Sequence, residues 1–124
     1  MRTWQTADEE DRVRYMLMVC DDRENLEGPA EINARQDFVT WMRDLETRGL
    51  SRGRTLLRPP AEATTVRVRD GRQLVSDGPF TETKEWVAGV EIIECADLDE
   101  AIGIAETHPA AARFPIEIRP FWED

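Results

Sequence analysis

The longest apolar run, Tyr15-Met16-Leu17-Met18-Val19-Cys20, is continuous rather than alternating. It reads as a strand over residues 13–20, central in its sheet with both faces covered. Residues 21–30 are acidic and hold Gly28-Pro29, which marks a loop. Over residues 31–49 the period changes. Ala34, Phe38, Trp41, Met42 and Leu45 fall on one face of a helix, and Gly49 is placed to cap it. A short strand is expected over 53–58, stopped by Pro59-Pro60. Residues 64–69 then alternate, with Val66 and Val68 on one side and Thr65, Arg67 and Arg69 on the other. Asp70-Gly71 separates them from a second run, Arg72 to Ser76. Both central positions of a type I′ turn need positive φ, so this Asp-Gly pair predicts a hairpin. Asp77-Gly78-Pro79-Phe80 makes another turn, followed by a polar stretch over 81–85. Residues 86–95 predict a longer strand in which Gly89 marks a bulge or a close approach. Asp97 and Glu100 resemble a capping box. The helix they open has Leu98, Ala101, Ile102 and Ala105 as its apolar stripe. Gly103 weakens it by roughly 1 kcal/mol relative to alanine, and His108-Pro109 ends it. Residues 114–122 supply the last strand, where Ile116 and Ile118 alternate with Glu117 and Arg119.

This order predicts an α+β fold, a ferredoxin-like split βαβ with an added hairpin. In its antiparallel sheet the strand at 13–20 pairs with the strand at 86–95, with the last strand beyond the first. Cys20 and Cys95 each close their strand, so antiparallel pairing puts them at opposite ends. A disulfide requires Cα atoms within about 7 Å, and two free thiols are expected. Both helices lie on one face of such a sheet, which leaves the other bare. A second copy is the simplest cover, giving a homodimer built as a dimeric α+β barrel. A ligand cavity is then expected between sheet and loops near that interface.

The length of 124 residues fits one domain, and 40% hydrophobic with 34% charged residues supports a packed core. Residues 1–12 read as an acidic arm, with Asp8, Glu9, Glu10 and Asp11 in succession, ahead of a domain at 13–124. The 26 acidic and 16 basic residues give a formal net charge of −10. That field repels phosphate, so nucleic acid is not an expected partner. No apolar run approaches a membrane span, and the first residues carry no apolar leader, so a cytoplasmic location is expected. Two scattered cysteines and the single histidine, His108, do not make a metal site. Without a glycine-rich phosphate loop or a nucleophile elbow, no cofactor is expected either.

Asp77 is the leading catalytic candidate. At a turn where a strand ends, it is placed to act as a general base or to bind a cation. The same carboxylate is equally suited to capping the N–H groups of the turn. Lys84, the only lysine in the chain, is the second catalytic candidate. It is placed to bind an anion or act as an amine base, or to pair with Glu82 or Glu85 and pin the loop. Glu82 joins the candidate ligand-binding set. Arg67 and Arg69 share a strand face and can converge on a carboxylate; a solvated hairpin face explains them as well. Trp86 can line a pocket or pack in the core, as can Trp122. His108 ends a helix, where a cationic side chain complements the helix dipole.

Three segments together carry a resemblance: Tyr15-Met16-Leu17-Met18, the stretch Asp77-Gly78-Pro79-Phe80-Thr81-Glu82-Thr83-Lys84-Glu85, and Glu117-Ile118-Arg119-Pro120. From about Arg14 to Trp122 the chain resembles the YCII-related proteins, in the branch named for its Asp-Gly-Pro-Phe (DGPF) motif. The resemblance implies a dimeric α+β barrel. Relatives in the wider superfamily are proposed enzymes with a histidine–aspartate pair in a cleft, but this chain has no histidine in its first helix. Some members of the branch are encoded beside extracytoplasmic-function sigma factors, which implies a regulatory role. Two functions stay open. One is a cofactor-free enzyme acting on a small organic acid or ketone in a cavity near the DGPF loop. The other is a non-catalytic module that binds a ligand or a regulatory protein.

Overall fold

The computed structural model describes residues 11–21, 28–80 and 86–123. Strand β1 (Val13–Asp21) leads to helix α1 (Pro29–Ala34), helix α2 (Gln36–Thr47) and strand β2 (Ser51–Leu56). After a single 3₁₀ turn at Pro60–Glu62 come β3 (Thr64–Arg69) and β4 (Arg72–Asp77), then β5 (Trp86–Cys95), helix α3 (Leu98–Glu106) and β6 (Ile116–Pro120). Four strands form an antiparallel sheet in the order β2-β5-β1-β6, while β3 and β4 form a separate two-stranded sheet. The α+β class and the strand order are those the pattern predicts.

Alternation sets the two faces of the large sheet. Tyr15, Leu17, Ile93 and Cys95 are buried under the helices and meet Phe38, Trp41, Met42 and Leu45 of α2. On the opposite face, Met16, Met18, Val90 and Ile92 are only half-buried. The continuous run of β1 is thus central in the sheet, but among the described residues only one of its faces is covered. Val13 pairs with Cys95 and Cys20 with Val87, so the two cysteines sit at opposite ends and neither is in a disulfide.

The helices follow their signals with two corrections. Arg35 is extended (φ −79°, ψ 120°) and divides the expected helix at 31–49 into α1 and α2. The break resets the phase, so Ile32 packs against the core while Ala34 is exposed. Gly49 ends α2 as expected. Its N–H donates to Glu46 O at 3.0 Å and that of Leu50 to Leu45 O at 2.9 Å, satisfying two end carbonyls. In α3 the buried stripe is Ala101, Ile104 and Ala105, while Leu98 and Ile102 are exposed. Leu98 lies in the first turn and Ile102 on the flank of that stripe. The Asp97 carboxylate accepts the Glu100 N–H at 2.9 Å, and Glu100 accepts the Ala96 N–H at 2.8 Å. That is the reciprocal arrangement of a capping box, reaching back one residue further than usual.

The β3–β4 hairpin turns on Asp70 (φ 53°) and Gly71 (φ 76°), as a type I′ turn requires. Val66 lies opposite Val75, and Arg67 opposite Leu74. Strand β2 begins two residues earlier than expected. An extra residue at Arg52 lets Ser51 pair with Ile93 and Gly53 with Ile92. Among the described residues, no helix is long and apolar enough to cross a membrane.

Candidate functional site

A cavity lies on the helix side of the large sheet, where β1 ends and β5 begins. A β-bulge shapes it. Val19 pairs with Gly89 and Cys20 with Val87, leaving Ala88 as the extra residue of β5. Bulges of this kind gather beside sites because they re-aim side chains. The Ala88 carbonyl accepts the Leu57 N–H at 2.8 Å, which carries the β2–β5 pairing one step past Leu56. A Cβ at Gly89 would lie 3.1 Å from Leu56, so the glycine permits the close approach expected of it. The volume is about 90 Å³. A single water needs roughly 10–15 Å³, so the space suits a small organic molecule. Ile32, Phe38, Leu56 and Phe114 give it apolar walls.

Five titratable residues line the same cavity: Asp21, Arg35, Glu91, His108 and Arg113. Glu91 is on β5 in phase with Ile93 and Cys95, so the pleat that buries those residues also buries its carboxyl, 6% exposed. Across the sheet it faces Arg54. The Arg54 guanidinium, however, donates to Asn33 Oδ1 at 3.0 Å and lies 5.1 Å over the Phe38 ring. Among the described residues the Glu91 carboxyl has no hydrogen bond or ion pair. Burial raises its pKa to about 7, only partly offset by the Arg54 charge. A carboxyl that titrates near neutral pH can both accept and return a proton.

His108 is 8% exposed in the turn after α3. Its ring is held 4.5 Å from Trp41 and 6.1 Å from Phe38, tilted 58° to each. Trp41 is itself fixed by donating from Nε1 to Thr107 Oγ1 at 3.1 Å. The Ala110 N–H donates to His108 Nδ1 at 2.9 Å. Burial lowers the pKa of His108 to about 4, against the opposing pull of Asp37. The expected cationic helix cap is therefore corrected: the imidazole is uncharged and faces a cavity. Asp21, 2% exposed, closes the end of β1. Arg35, half-buried and 3.7 Å from Asp37, and Arg113, exposed, bring positive charge to the same space.

Most sequence candidates lie elsewhere. Asp77 is exposed at the foot of the hairpin, opposite Thr64. The backbone holds that turn: Gly78 N–H donates to Ala63 O at 2.7 Å, and Thr65 Oγ1 donates to Gly78 O at 2.7 Å. Arg67 and Arg69 share a hairpin face and are exposed, and the Arg67 guanidinium lies 4.5 Å over the Phe80 ring. Trp86 is half-buried at the start of β5, with an Nε1 that is enclosed and without a partner among the described residues. None of these four lines the cavity. Lys84 and Glu82 lie outside the described residues. Trp122 is 99% exposed. Among the described residues, no three histidine, cysteine, aspartate or glutamate side chains gather as metal ligands.

Sequence reasoning missed Glu91 and His108, although both carried a signal. Glu91 is an acid on the buried phase of an apolar strand. His108 continues the helical spacing of Ala101, Ile104 and Ala105.

Residues 13–123 match the family model described as YCII-related domain. The chain is also 41% identical over 66 residues to an uncharacterized protein of Rhizobium meliloti (strain 1021), a match that covers 50% of this chain and 52% of that protein. It thus spans about half the length of the curated relative it matches.

Proposed function

This chain belongs to the YCII-related domain family, and we propose that it is a small-molecule enzyme that moves a proton on a small organic acid or ketone. The observation that carries this reading is Glu91, a buried carboxyl on a cavity wall, without an ion-pair partner among the described residues and with its pKa raised to about 7. Strongly perturbed carboxyls in clefts gather where proton transfer is needed. Proton abstraction next to a carbonyl requires a base and a stabilised oxygen, and both roles are within the reach of side chains. Arg35 and Arg113 supply charge for an acid's carboxylate. In this reading the cavity beneath the helices takes the place of the DGPF loop as the reacting site. In the same reading a second copy covers Met16, Met18, Val90 and Ile92 on the open sheet face, completing a dimeric barrel.

A second reading is favoured by one observation. Val66, Val68, Val75 and Phe80 are exposed on the hairpin and its turn, and Val68 is 73% exposed. A non-catalytic module that docks a regulatory protein would use such a surface.

The deciding experiment follows hydrogen exchange by proton NMR in D₂O. Pyruvate, 2-oxobutyrate and acetone serve as probes, with wild type and Glu91→Gln. The enzyme reading expects faster loss of the α-proton signal with wild type only. Equal rates in both proteins, or no acceleration with any probe, would transfer the case to the docking module.

A further inference from the structure

We propose that His108 is a catalytic hydrogen-bond donor of this cavity, an uncharged imidazole whose Nε2–H binds the carbonyl oxygen of the small ketone or 2-oxo acid on which Glu91 acts. The inference rests on the proton-transfer reading above and adds a second reacting group with a distinct role.

Its first support is the tautomer. The Ala110 N–H donates to Nδ1 at 2.9 Å, so the Nδ1 lone pair is occupied. A neutral ring with that nitrogen unprotonated carries its proton on Nε2. A second proton would have to displace the Ala110 N–H. Among the described residues nothing accepts from Nε2, while the ring lines the cavity. The second support is rigidity. Trp41 at 4.5 Å and Phe38 at 6.1 Å fix the ring plane, and Trp41 is anchored through Thr107. A donor held in place before the reaction needs no reorganisation when charge develops on the oxygen. The third support is the pairing. Burial penalises charge on both groups, so it raises Glu91 and lowers His108. Titratable pairs whose pKa values are pushed apart in this way divide the labour of proton transfer. Glu91 cycles its proton, and His108 stays a neutral donor throughout.

The step balances without another reactant. The Glu91 carboxylate takes the proton from the carbon next to the carbonyl. The C–H electron pair forms the carbon–carbon double bond, and the carbonyl π pair moves onto oxygen, where the Nε2–H meets it. Return of the proton from Glu91 to carbon restores the ketone, and nothing is oxidised or reduced.

The chain has one histidine, so a ¹⁵N-labelled sample gives one imidazole signal set. Long-range ¹⁵N–¹H spectra should show Nε2 protonated and Nδ1 bare at pH 7. Added pyruvate should shift the Nε2–H and the ¹³C-labelled Glu91 carboxyl with one common saturation. An Nδ1–H tautomer, an imidazolium, or a Glu91 shift with an unmoved Nε2–H would overturn the role of His108 and leave the proton-transfer reading standing. If no probe moves either group, that reading falls and this one with it. His108→Phe keeps the ring packing, and its fold is checked by near-UV dichroism. It should lose roughly 10²–10³-fold in probe exchange, whereas His108→Gln, which keeps an N–H donor, should lose less. A folded His108→Phe protein exchanging at the wild-type rate would also overturn the proposal.

Discussion

Glu91 and Asp77 are both strand carboxylates, one on β5 and one at the end of β4, and their surroundings differ in every respect that matters to chemistry. Glu91 is enclosed by the helices, faces a cavity and titrates near pH 7. Asp77 is exposed on a hairpin that stands apart from the large sheet. The DGPF segment is conspicuous as a string of residues, yet its turn is held by Gly78 and Thr65 rather than by the aspartate. The β5 segment is inconspicuous, yet one bulge and one phase of the pleat bury an acid beneath the helices, on the wall of a cavity. Reactivity in a small α+β domain follows burial and pairing, which a string of letters expresses only through register.

The most severe way to separate the two regions is to remove packing from each. Trp41 supports His108 and donates to Thr107. Trp41→Ala should destabilise by about 3–5 kcal/mol in urea melts, as large-to-small core changes do. Val68→Ala on the exposed hairpin should stay within about 0.5 kcal/mol in the monomeric protein. A Val68→Ala loss rivalling that of Trp41→Ala would show that the hairpin is covered in solution.

A pH series sharpens the contrast. Glu91 moves from an ordinary 4.5 to about 7, so the folded state holds the extra proton between those values and stability falls as pH rises through them. His108 moves from 6.5 to about 4, so the unfolded state holds the extra proton and stability is lost as pH falls through that window. Each shift corresponds to roughly 3 kcal/mol. Between pH 4.5 and 6.5 the two slopes oppose each other and nearly cancel. Relative to wild type, Glu91→Gln should therefore gain a stability that climbs with pH there, and His108→Phe one that declines. Parallel curves for all three proteins would mean that neither group is buried as described.

Much of this frame was legible in the residues. The β1–β5 pairing, the absence of a Cys20–Cys95 disulfide, the Gly49 cap and the Asp70-Gly71 turn each rest on local chemistry that a sequence carries directly. The break at Arg35 was not legible, because neither glycine nor proline marks it. Leu98 and Ile102 were misplaced because a helical stripe has a width, and only packing decides which flank the sheet covers. The cavity was out of reach for a different reason. The bulge at Ala88 lies beside Gly89, which marked it, but that β1, β5 and the turn after α3 line one space is decided by tertiary packing.

Within the hairpin, Thr65→Val tests what holds the turn. It removes the hydroxyl that donates to Gly78 O and should cost about 1 kcal/mol. A larger loss would mean that the turn supports more of the fold than β3 and β4.

The smallest expected effect bears most directly on the comparison. Asp77→Asn keeps the size of the side chain and removes its charge. Among the described residues that carboxylate has no hydrogen bond or ion pair, so the melting temperature should move by no more than about 0.5 kcal/mol allows, a degree or two to a few degrees. Probe exchange should stay at the wild-type rate, because Asp77 does not line the cavity. Loss of exchange in a protein that melts normally would return the chemistry to the DGPF loop and leave Glu91 as a buried acid with a structural role. Loss of stability with exchange intact would make Asp77 a support for the turn, acting through residues beyond β4.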